Sequence, residues 1–239
     1  MKKHALILVS VAFILFLVAS AHATVSFESK IDDSIYVTCN FEHLDQTVYN
    51  AAEANQQLFN GSSMPLAIMG NLEKQGLTRV SYGFQDNTYD NVTKSIRASF
   101  FIGGADIISY TVNNTNLKRT YTVKTDWRKF QVQLTSSLSV DFAQHFAEQV
   151  ENWRKIDYTD TSGNVHPAYF YETGEIELLG KMSFTLILPS AATSVQVEGD
   201  TVTFDVPSSF GDIFLASPFL ILTVLLIVVA VALVYRRLK

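Results

Sequence analysis

A single cysteine, Cys39, among 239 residues excludes an intramolecular disulfide. Small secreted domains often rely on such staples, but a chain this long can bury a core without them. Proline is scarce at five residues, and no stretch rich in glycine, serine or proline marks a linker. No internal repeat is visible. Acid is missing from both ends, because residues 1–23 and 213–239 hold no Asp or Glu. All 23 acids therefore lie in residues 24–212. That segment keeps 13 of the 18 Lys and Arg, two being at the N-terminal end and three at the C-terminal end, so its net charge is −10. Such acidity argues against nucleic acid as a partner, since phosphate binding needs a basic footprint. The composition also argues against a disordered chain and a multi-spanning transporter.

The two acid-free ends read as targeting segments. Met1–His4 is a positive n-region, Ala5–Ala19 an apolar stretch, and Ala21-His22-Ala23 a small-residue cleavage site, so residues 1–23 are expected to be a signal peptide. Ala19-Ser20-Ala21 would serve equally. At the other end, Ile213 to Tyr235 is 23 residues without a charge. As a helix it would reach about 34 Å, enough for a hydrocarbon core of about 30 Å. Arg236, Arg237 and Lys239 follow, and cytoplasmic flanks are positive. The expectation is a single-pass type I protein of the cell membrane. It has an outer domain at 24–206, a tether at 207–212, a transmembrane helix at 213–235 in contact with lipid, and a cytoplasmic tail at 236–239.

Within the exported segment the hydrophobic period changes along the chain. Val25, Phe27 and Ile31, then Ile35 to Phe41, suggest two strands around the turn Asp32-Asp33-Ser34. Asp45 can cap a helix running to about Phe59, and Ser63 one that ends at Gly76. From Leu77 the period is two, through Val80, Tyr82 and Phe84, then Ile96 to Ile102, Tyr121 and Val123, and Phe130 to Leu134. Phe142, Phe146, Val150 and Trp153 have helical spacing and predict a third helix over Val140–Lys155. Further strands follow around Tyr169–Tyr171, Ile176–Leu178 and Phe184–Leu188, and a hairpin around Glu198-Gly199-Asp200. The expected class is α+β: an antiparallel sheet with about three helices packed on it, plus the C-terminal transmembrane helix.

The chemistry-bearing residues are few. His43, His145 and His166 are the histidines after residue 23, and none has a ligand at metal spacing, so no metal or cofactor is expected. No Gly-x-Ser-x-Gly elbow occurs. Cys39 and His43 would stand about 13 Å apart along a strand, and Cys39 shares the apolar face of Ile35, Val37 and Phe41. Asp157, Asp160, Gly163 and Asn164 miss the spacing of a calcium loop and read as a polar turn, while Glu172, Glu175 and Glu177 read as a solvated strand end. Lys118, Arg119, Lys124, Arg128 and Lys129 are one basic concentration, a hairpin face balancing nearby acid or a contact with anionic headgroups. Sequons at Asn60, Asn91 and Asn113 are candidate glycosylation sites in predicted loops.

These features point away from catalysis. The leading expectation is a non-catalytic binding or protein-interaction module at the cell surface, partnered by a membrane or envelope protein. The alternative is a ligand-binding domain whose apolar cavity, for a lipid or small molecule, is lined by Phe100, Phe101, Tyr110, Phe142, Phe146 and Trp153. A hydrolase built on dispersed Asp, Glu, Ser and His is the weakest reading.

Overall fold

The computed structural model describes residues 23–58, 60, 63–113, 115–176, 178–209 and 218–238. The expected signal peptide lies almost wholly outside them, as do residues 210–217. Strand outweighs helix by 48% to 22%, so the expected α+β class is corrected to a mainly β one.

The chain begins with β1 (Thr24–Ile31) and β2 (Ile35–Glu42), an antiparallel pair. Two helices follow, α1 (Gln46–Glu53) and α2 (Ser63–Lys74). Asp45 caps α1 by accepting from the Thr47 N–H at 2.7 Å, which satisfies one of the free amides of the first turn. The strands β3 (Ser81–Asp90) and β4 (Ser95–Gly103) form a hairpin that joins β2. Much later β9 (Arg154–Thr159), β10 (Val165–Ile176) and β11 (Gly180–Ile187) return to the same sheet. Its order is β3-β4-β2-β1-β11-β10-β9, and β1 and β11 run parallel while the other pairs are antiparallel. This sheet is therefore mixed, where an antiparallel one was expected. A second sheet has the order β12-β13-β6-β5, made of β5 (Ile108–Asn113), β6 (Lys118–Lys124), β12 (Thr193–Glu198) and β13 (Thr201–Pro207). A small hairpin, β7 (Gln131–Gln133) and β8 (Ser139–Asp141), completes the strands among the described residues.

The inner face of the large sheet is apolar. Val25, Phe27 and Ile31 of β1, Ile35, Val37, Cys39 and Phe41 of β2, and Met182, Phe184 and Leu186 of β11 are all buried. Aromatic rings close over its centre: Phe27 stacks on Phe184 at 5.8 Å, and Phe142 meets Phe27 edge-on at 4.8 Å. Edge-on and offset pairs of this kind add to the burial of their area. Burial also pushes the Cys39 thiol well up, which leaves it an inert core residue. Gly180 has φ +65°, and a Cβ there would meet the Ala23 carbonyl oxygen at 1.7 Å, so only glycine lets the start of β1 run beside β11.

The third helix expected over Val140–Lys155 does not form. After β8 there is one turn, α3 (Phe142–His145), then a 3-10 turn at Val150–Asn152 and the strand β9. Tertiary hydrogen bonds capture the backbone that a helix would have used internally. The Glu148 carbonyl accepts from Arg128 Nη2 at 2.7 Å and from the Trp153 indole at 3.1 Å. The Val150 N–H donates to Asp200 Oδ1 at 3.2 Å, and the Glu151 N–H to the Gly199 carbonyl at 3.1 Å. The apolar residues still share one side, but an extended segment carries them.

The C-terminal expectation is corrected too. Among the described residues no helix is long and apolar enough to cross a membrane. The last helix, α4, spans Pro218–Leu238 and reaches Arg236 after eighteen uncharged residues. Over the described residues that uncharged stretch is about 27 Å long. Residues 213–217 of the expected span lie outside the described residues.

Candidate functional site

The alternation that buries one face of the large sheet sends every second side chain to the other face. There the residues are small and polar. The register sets Arg97 of β4 opposite Asn40 of β2, Asn40 opposite Ser26 of β1, and Ser26 opposite Ser183 of β11. The next row runs Ser99, Thr38, Glu28 and Thr185 across the same strands. Thr38 and Ser99 share a hydrogen bond at 3.3 Å, Asn40 Nδ2 donates to Ser26 Oγ at 3.5 Å, and the Tyr158 hydroxyl donates to Glu28 Oε2 at 3.5 Å. A third row is larger and partly aromatic, with Phe101, Tyr36 and Lys30. The Phe101 ring lies under Gly83, where a Cβ would come within 2.3 Å of it, and 6.2 Å from Tyr36.

Short side chains between taller neighbours leave a groove of about 560 Å³ over β1, β2 and β4, lined by Glu28, Thr38, Asn40, Glu42, His43 and Arg97 among others. His43 also lines a second hollow of about 360 Å³, which reaches Leu44, Asp45, Glu175 and Ile176. Its backbone is left-handed, φ +54°, an uncommon conformation for a residue with a Cβ. The Leu44 N–H holds the bend by donating to the Lys94 carbonyl at 3.0 Å. Among the described residues the exposed side chains of Glu42, His43 and Arg97 have no hydrogen-bond or ion-pair partner.

Elsewhere several charges are matched. Arg79 pairs with Asp106, Lys118 with Asp205, Arg119 with Asp33 and Lys181 with Glu172. The densest cluster joins the two sheets. Arg128 is fully buried, donates to Asp200 Oδ1 at 2.8 Å and lies over the Trp153 ring at 5.1 Å, while Lys129 donates to Asp200 Oδ2 at 2.6 Å and to Asp126 at 2.8 Å. Burial opposes charge on all three. The Lys129 hydrogen bond and the Arg128 charge nonetheless hold Asp200 below the usual carboxylate range, and the bonds to Asp126 and Asp200 hold Lys129 above its ordinary value. For Arg128, burial dominates and lowers its value. The basic concentration seen in the sequence is thus mostly spent on internal acids.

The apolar candidates separate. Phe142, Phe146 and Trp153 gather around Phe184, with Phe146 at 5.3 Å and Trp153 at 5.2 Å from its ring, and all are buried. Phe100 is buried on the inner face, its neighbour Phe101 points to the outer one, and Tyr110 sits on the small sheet under the Arg119 guanidinium at 4.7 Å. The structure does not bring the six together around one cavity. The acid-rich turn behaves as a turn: Asp160 accepts from the Ser162 and Asn164 backbone amides, and hydrogen bonds from Asn164, then His166, depress its carboxyl. His166 is buried with Nδ1 at 2.9 Å from the Leu188 carbonyl and Nε2 at 3.3 Å from Asp160. Among the described residues no three His, Cys, Asp or Glu side chains gather as metal ligands, and no hydroxyl or thiol hydrogen-bonds a histidine. Of the sequons, Asn91 and Asn113 are exposed at the turns after β3 and β5, and Asn60 is half-buried between α1 and α2.

Sequence reasoning followed the apolar residues of β1, β2 and β4 and passed over their alternates. The signal was present in the same period, as Ser26, Glu28 and Lys30, then Thr38, Asn40 and Glu42, then Arg97 and Ser99. Comparison with protein-family models, with curated proteins and with solved structures gives no match.

Proposed function

We propose that the chain is a non-catalytic binding module, exported to the outer side of the cell envelope, that holds a hydrophilic partner on the outer face of its large sheet. One observation carries this reading: a groove of about 560 Å³ gathers the side chains of Glu42, His43 and Arg97, which make no hydrogen bond or ion pair among the described residues, beside Asn40 and Thr38. Unmatched polar groups on a rigid sheet keep their hydrogen-bonding capacity for a ligand. Binding is favoured over catalysis because no nucleophile–base pair accompanies them. The reading is tested by hydrogen–deuterium exchange of the full chain with and without envelope extract of its own cells. Protection is expected in β2 and β4 and is lost in an Arg97→Ala, Asn40→Ala chain. Protection confined to the small sheet, or unchanged in that variant, overturns it.

A further inference from the structure

We infer that the ligand of this face is a neutral, linear polysaccharide lying across the strands. The inference rests on the binding reading above and names its ligand class. Three features of the face select it.

The small polar residues form rows that run across the strands. Ser26, Ser183, Thr38 and Asn40 are half-buried in two adjacent rows between β4 and β11, which Arg97 and Glu28 share and in which Ser99 and Thr185 are buried. The larger Phe101, Tyr36 and Lys30 bound them on one side, and Glu42, Thr24 and Lys181 on the other. The result is a trough perpendicular to β1 and β2. From β4 to β11 it crosses three strand spacings, about 14 Å. That length suits a chain segment better than a single small molecule.

Apart from Glu28 and Arg97, the hydrogen-bonding groups of these rows are hydroxyls and a carboxamide, which donate and accept alike. Sugar hydroxyls have the same dual character. The backbone beneath offers nothing, because both edges of β1, β2, β4 and β11 are consumed in ladders. A peptide adding as an extra strand needs a free edge, so a face-bound extended peptide would leave its own amides unmatched.

The charges are mixed. Over β4, β2, β1, β11 and β10 the face carries the acids Glu28, Glu42, Glu172 and Glu175 and the bases Lys30, Arg97 and Lys181, interleaved by the register. A polyanion meets no field of opposite sign there. A neutral polyol meets both donors and acceptors. Arg97 and Glu42, without partners at the end of the trough, are positioned to hydrogen-bond it as well.

The test is affinity electrophoresis of the full chain through gels containing a neutral glucan, a neutral mannan, an acidic polyuronate or none, at low and high salt, with circular dichroism confirming that each variant folds. The inference expects retardation by at least one neutral polymer, little changed by salt, since no net charge is neutralised. Asn40→Ala with Thr38→Ala should weaken it about tenfold or more, the loss of one to two net hydrogen bonds. Thr122→Ala on the small sheet should leave it unchanged. Stronger, salt-sensitive retardation by the polyuronate overturns the inference, as does retardation that survives the Asn40, Thr38 variant. Retardation by no polymer overturns it too. If the envelope extract still protects β2 and β4 in that case, the ligand class falls while the binding reading stands. If protection is also absent, both fall.

Discussion

The two faces of the large sheet come from the same strands and could hardly differ more. The inner face carries Phe27, Phe184, Val37 and Leu186, each at most 1% exposed and packed ring on ring. The outer face carries Ser26, Ser183, Thr38 and Asn40, side chains that fill little space and keep their polar atoms near water. One face holds the fold together by area removed from water and by contact density. On the proposed reading, the other contributes less to stability and its residues serve recognition. A face that mattered equally to both could not change its ligand without risk to the fold.

Substitutions should separate the two roles. The largest effect belongs to the inner face. Phe184→Ala removes the ring that Phe27, Phe146, Trp127 and Trp153 all touch, and should cost about 3–5 kcal/mol in chemical denaturation. A loss below 1 kcal/mol would mean that the aromatic cluster does not organise the core. Close behind comes Asp200→Ala, which strands the buried Arg128 guanidinium and should cost about 3 kcal/mol. Because the Asp200 carboxyl is held below its ordinary value, its contribution is complete at neutral pH and is lost as the pH falls through the depressed value. An Asp200→Asn chain should therefore show a flatter acid limb in a stability–pH curve below about pH 4. An identical limb would place the acid sensitivity elsewhere.

Gly83→Ala probes the rim of the outer face. Its Cβ would strike the Phe101 ring at 2.3 Å and push it toward the trough. A cost of about 1–3 kcal/mol is expected, read as a fall in thermal midpoint together with altered ligand retardation. The smallest effect belongs to the outer face itself. Arg97→Ala and Asn40→Ala should each stay within about 0.5 kcal/mol of the parent in denaturation, while ligand binding falls. A large stability loss at either position would make the face structural and remove the comparison.

Much of this was legible in the residues. The strands β1, β2, β4 and β13 follow period-two patterns, and the caps at Asp45 and Gly76 end the loops as their chemistry dictates. Two segments misled. Phe142 to Trp153 has helical spacing, yet Arg128 and Asp200, distant in sequence, take the hydrogen bonds of residues 148–151. The uncharged C-terminal stretch suggested a span, yet among the described residues no helix is long and apolar enough to cross a membrane. The outer-face trough was encoded in plain view, but a serine at every second position is also what any solvated strand shows. Only pairing tells the two apart.

By itself the sequence determined what is local: the alternation of β1 and β2, the turns at Asp32 and Asp160, the caps, and the separation of an acidic middle from acid-free ends. These depend on residues a few positions apart, whose interactions need no knowledge of the rest of the chain. The tertiary structure decided which strands lie side by side. It set β1 parallel to β11, Arg128 against Asp200, and Arg97, Asn40, Ser26 and Ser183 in one row. Those neighbours come from four strands spread over about 160 positions. Their meeting reflects the balance of burial and chain entropy over the whole domain, which no local pattern contains.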